Sequence, residues 1–126
     1  MSWNLIIGKY GGSPQEGAPL GNVETVTGIF RAAFPDLLWS SPLESSLEVY
    51  RGFRLDFYEK NGIVEFVSTS GGYDHLYRFA DICKSEGWYI ADCQEDEELD
   101  LDDPYQFYKD LETRRRNPPS ETDSPD

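Results

Sequence analysis

A chain of 126 residues with 14% aromatic side chains and a net charge of −13 is one domain by length and is composed like a folded protein rather than a disordered one. So acidic a chain repels nucleic acid and anionic lipid at long range and attracts cations and basic proteins. Two cysteines are too few for a disulfide scaffold, and no basic leader or long apolar run marks a signal peptide or membrane span, so the expected setting is cytoplasmic.

The first expected element is a short strand around Leu5-Ile6-Ile7, closed by Gly8. A loop rich in Gly and Pro follows, from Lys9 to Gly21. Asn22 is a good N-cap, and Val23, Val26, Phe30 and Ala33 recur at helical spacing, so a helix is expected up to Pro35. Residues 36–46 are expected to cross the surface.

The segment from Phe53 to Ser70 carries the clearest local signal: two alternating runs around Asn61-Gly62, a dipeptide that favours a tight hairpin turn. A two-residue loop would set Lys60 against Ile63, Tyr58 against Glu65, Phe57 against Phe66 and Leu55 against Ser68. Phe53, Leu55, Phe57, Val64 and Phe66 would then face the core, and Arg54, Asp56, Tyr58, Glu65 and Val67 the other side. The first strand could start near Leu47, or residues 45–50 could add an edge strand. A second helix is expected over residues 73–86, with Leu76, Phe79, Ala80, Ile82 and Cys83 as its apolar stripe and Gly87 just past its end. A last strand follows over residues 88–93.

The order strand, helix, hairpin, helix, strand predicts an α+β domain of ferredoxin-like βαββαβ type: a four-stranded antiparallel sheet with two helices on one face and an acidic C-terminal extension. The expected limits are 1–93 for the α+β domain, 94–112 for the acidic extension with a short helix starting near Pro104, and 113–126 for a disordered tail.

Charge is placed unevenly. Residues 1–91 have a net charge of −4 and residues 92–126 a net charge of −9. From Asp92 to Asp103 there are eight carboxylates and no basic residue. No frame in this run supplies the Gly and the closing Glu of an EF-hand loop. Leu99, Leu101, Tyr105 and Phe107 interleave with the acids, which a pure solubility tail does not need. The run is therefore expected to meet a basic partner, against the plainer expectation of a solvated connector.

No motif for chemistry emerges. The stretch from Gly8 to Gly21 lacks the Lys-Ser/Thr of a phosphate loop and the G-x-G-x-x-G spacing of a dinucleotide site. His75, the one histidine, has no G-x-S-x-G partner motif, and with Cys83 and Cys93 it makes at most three soft metal ligands. Arg114, Arg115 and Arg116 form too small a basic cluster for a nucleic-acid patch. The chain is expected to be non-catalytic, without metal or cofactor.

The stretch "YDHLYRFADICKSEGWYIADCQEDEELDL", residues 73–101, resembles the C-terminal halves of small acidic immunity proteins from bacterial polymorphic toxin systems. It covers about a quarter of the chain and transfers no residue role. The resemblance implies a cytoplasmic protein that binds one cognate toxin, of the basic nuclease type, and blocks its active site. The residues expected to meet that partner are Asp92, Glu95, Asp96, Glu97, Glu98, Asp100, Asp102 and Asp103, with Trp88, Tyr105 and Phe107 as aromatic anchors. The alternative is a ligand-binding or self-associating module, open to homodimer formation, that uses the open sheet face.

Overall fold

The structure, a computed structural model, describes residues 4–10, 17–49, 52–95 and 97–116. In chain order its elements are β1 (Asn4–Tyr10), β2 (Gly17–Ala18), β3 (Gly21–Asn22), α1 (Val23–Ala33), β4 (Leu38–Ser41), β5 (Glu44–Leu47), β6 (Phe53–Lys60), β7 (Ile63–Gly71), a 3₁₀ turn (Tyr73–His75), α2 (Leu76–Glu86), β8 (Tyr89–Asp92), β9 (Glu97–Glu98) and α3 (Gln106–Arg116). They form an α+β fold around one antiparallel sheet of nine strands, ordered β4-β5-β6-β7-β1-β8-β9, with β2 paired to β1 and β3 to β7.

This corrects the four-stranded ferredoxin-like sheet with two helices. Short strands extend both sides of β6, β7, β1 and β8, and α3 adds a third helix. Ser41 and Glu44 close a tight β4–β5 turn across Pro42 and Leu43, and β5 then pairs with β6 from Leu47↔Phe53 to Glu44↔Asp56. The residues expected to cross the surface are thus mostly strand. The edge strand expected at 45–50 ends at Leu47, and Tyr50 lies outside the described residues.

Local chemistry explains the helix limits. The Asn22 side chain accepts from Thr25 N–H at 2.8 Å at the start of α1. Gly87 takes a left-handed φ of 76° after α2 and donates its N–H to the Cys83 carbonyl. The Asn61-Gly62 turn also forms, with φ of 55° and 82°.

The hairpin register departs from expectation. Lys60 pairs Ile63 and Glu59 pairs Val64, but a bulge then sets Tyr58 against Phe66 and Phe57 against Val67. One extra residue on β7, Glu65, reverses the side to which later residues point. Val67 is therefore fully buried, and Phe66 turns to the other face, where it stacks on Tyr58 at 4.4 Å.

The helices cover the face that carries Leu5, Ile7, Phe53, Leu55, Phe57, Val64, Val67 and Ile90, all buried. Phe30 of α1 packs edge-on against Phe57 at 5.4 Å, and Phe34, Phe53 and Phe79 meet within 5.4 Å of one another. The opposite, open face holds half-buried Ile6, Asp56, Phe66, Ser68, Tyr89 and Ala91. The sheet ends at β4, which carries no charged residue and exposes Leu38, and at β9, which consists of two glutamates.

Candidate functional site

The acidic run is folded onto the sheet. Glu97 and Glu98 form β9 and pair with Asp92 and Ala91 of β8. Leu99 is buried, and its N–H donates to the Ile90 carbonyl at 2.8 Å. With Leu99 held under the surface, Glu95, Glu97, Glu98, Asp100 and Asp102 stay exposed on an anchored segment. Asp102 reaches back to Lys84 of α2 at 3.1 Å, and Asp100 accepts from the backbone N–H of Asp102 at 2.9 Å. Asp103 is half-buried, and Asp96 lies outside the described residues.

Two residues expected at the surface belong inside. Asp92 is 2% exposed, and one of its carboxylate oxygens accepts from the N–H groups of Gln94 and Glu95, both at 2.9 Å. The other oxygen accepts from the Tyr108 hydroxyl at 2.6 Å. This carboxylate shapes the turn after β8 and ties α3 to the sheet, so it does not face a partner. Trp88 is buried and stacks on Phe30 at 6.5 Å, since it follows Gly87 directly into the core.

Tyr105 and Phe107 remain half-buried at the surface. Tyr105 packs edge-on between Tyr73 and Tyr77, 4.9 Å from each, and donates its hydroxyl to the Tyr73 carbonyl. Burial is the main cause that raises its pKa above the ordinary phenol value. Phe107 lies against Tyr108 at 4.9 Å. Tyr73 and Tyr77 keep 41% and 55% of their surface exposed, so the acidic segment adjoins an exposed aromatic cluster. Only Tyr105 and Phe107 of this cluster were singled out from the sequence. Tyr73 and Tyr77 stand four apart, but the helical pattern gave no reason to set them beside residues thirty positions on.

A second feature lies on the open face, where the sheet forks. The β1–β7 ladder ends at Ile7↔Val67; beyond it β1 pairs with β2, while β7 pairs with β3 at Val64↔Gly21. A cleft of about 450 Å³ fills the fork, lined by Ile6, Gly8, Phe66, Tyr89, Lys9 and Glu65 and by residues 17–19. Gly8 and Tyr89 are cross-strand partners, and a Cβ at Gly8 would sit 2.8 Å from the Tyr89 hydroxyl oxygen. The tyrosine ring thus occupies the space that glycine leaves. Tyr10 lies 4.8 Å from Tyr89 and donates its hydroxyl to Glu98, a bond that pushes its pKa up to about 12. No local signal marks this cleft, because its walls come from three separate parts of the chain, around β1 and β2, β7 and β8.

Of the remaining reactive groups, burial pushes the Cys83 thiol up to about 12, and burial with the Asp92 charge raises that of Cys93. His75 is held below its ordinary pKa, first by burial and then by Arg78, with Asp74 opposing. Among the described residues no three His, Cys, Asp or Glu side chains gather as a metal site, and no helix is long and apolar enough to cross a membrane. Comparison with protein-family models, with curated proteins and with solved structures gave no match.

Proposed function

We propose that the chain is a stoichiometric, non-catalytic inhibitor of a basic partner protein, as immunity proteins are of nuclease-type toxins, and that it acts in the cytoplasm. The observation that carries the reading is that the acidic segment is anchored: Leu99 is buried between exposed Glu98 and Asp100. Carboxylates held on a folded edge lose less side-chain and backbone freedom on binding than those of a loose tail. Glu95, Glu97, Glu98, Asp100 and Asp102 would meet Lys and Arg at the partner's cleft, and the aromatic cluster of Tyr73, Tyr77, Tyr105 and Phe107 would supply contact area beside them. Asp92 and Trp88 have no part in that surface; they hold it in place.

The test is capture of partners from host lysate on the native chain, followed by association kinetics of the captured protein at several salt concentrations. Against the variant Glu97→Gln, Glu98→Gln, Asp100→Asn, Asp102→Asn, association should slow and its salt dependence should flatten. A basic partner whose association rate is the same for both chains at low salt would sink the mechanism.

A further inference from the structure

The forked cleft has a chemistry of its own. Phe66 stands in a parallel stack with Tyr58, their planes 14° apart, and Tyr89 lies over Gly8 on the other strand. Phe66 and Tyr89 thus both line the cleft, together with Ile6. Among the described residues of the lining, Lys9 is the one cation. Glu65 opposes it there, and Glu98 is joined through Tyr10 to the ring that packs on Tyr89. Lys9 and Glu65 balance each other in the lining, and the excess negative charge beside it comes from Glu98, within a chain of net charge −13.

Aromatic faces beside carboxylates select a planar cation. A guanidinium stacks on a ring and offers paired N–H donors to a carboxylate, whereas an ammonium is a compact, more strongly hydrated charge. Glu65 is well placed for this role. As the bulged residue of β7 it breaks the alternation of the strand, and it lines the cleft while its neighbours Val64 and Phe66 point to opposite faces. The cleft also lies next to Glu98 of the acidic edge, so a basic protein seated on that edge has the cleft within reach.

We propose that this cleft receives an arginine side chain of the basic partner, stacked against Phe66 and Tyr89 and paired with Glu65. The identity of the donor protein rests on the inhibitor reading; the selectivity of the cleft does not, and it is tested without any partner. Amide resonances of the full chain would be followed by NMR during titration with N-acetyl-arginine methylamide, the matching lysine compound and the citrulline compound, a neutral isostere of arginine. Saturable shifts at Gly8, Phe66 and Tyr89 are expected, strongest for arginine. Glu65→Gln should weaken arginine binding by about three- to fivefold, the worth of one exposed charge pair. Asp81→Asn, on α2 at the helix-covered side of the sheet and outside the cleft lining, should leave it unchanged. Citrulline binding as tightly as arginine would overturn the proposal, as would shifts that map elsewhere or persist in full in Glu65→Gln. Loss of partner capture on neutralising the acidic edge, with no arginine selectivity in the cleft, would leave the inhibitor reading standing and remove this one.

Discussion

The two faces of the sheet are built from alternate residues of the same strands, yet they differ in kind. On β6, Phe53, Leu55 and Phe57 enter the helix-covered side and are nearly free of solvent, while Arg54, Asp56 and Tyr58 between them stand on the open side. The covered side is held by rings and aliphatic chains in mutual contact. The open side carries aromatic surface, carboxylates and a cleft, none of which needs a helix above it. Stability is concentrated on one side of a single layer, so substitutions on the other side cost the fold less.

The sharpest way to break this contrast is to empty the covered side. Phe30→Ala should cost about 3–5 kcal/mol in urea unfolding, because Phe30 is fully buried against Phe57 and Trp88. Asp92→Ala should cost less, about 1.5–3 kcal/mol, since it removes three hydrogen bonds to one buried carboxylate. Its signature would be faster amide exchange over α3, which loses the Tyr108 tie.

A pair of substitutions tests the bulge directly. Val67→Ala should cost about 1.5–2.5 kcal/mol and Phe66→Ala about 1 kcal/mol or less, although phenylalanine is the larger residue. The reverse order would mean that the register runs straight through Glu65.

The smallest effect concerns pH. His75 sits between the rings of Phe34 and Phe53, at 5.8 and 5.2 Å, and its pKa is lowered in the folded chain. Its neutral form is therefore favoured by folding. The contribution is fully present above the unfolded pKa of about 6.5 and is lost as the pH falls below it. The melting temperature should drop more steeply between pH 7.5 and 5.5 in the native chain than in His75→Gln; equal slopes would rule the contribution out.

What could be foreseen followed from local chemistry. Asn22, Gly87 and the Asn61-Gly62 pair each determine a cap or a turn within a few residues, and the α+β class followed from the elements that they bound. Helix patterning likewise placed Leu76, Phe79 and Cys83 inside. The missed features are the non-local ones. Glu97-Glu98 has little intrinsic strand preference and becomes a strand only because β8 offers an edge. Gly17-Ala18 and Gly21-Asn22 are paired by position alone. The bulge at Glu65 has no mark in an alternating sequence, and it moved Phe66 from the expected core to the cleft. Within the acidic run, nothing distinguished Asp92, which is buried, from Glu97 and Glu98, which are not.

The unlike ends of the sheet bear on how copies of this chain could meet. A strand with free backbone groups can template another. At β9 two glutamates oppose any second copy of that edge, while β4 is uncharged. Strand pairing between copies would therefore run through β4 against β4. Such a contact uses the same uncharged edge on both molecules and leaves the two-glutamate β9 edge at each outer end of the path, where further strand pairing is opposed.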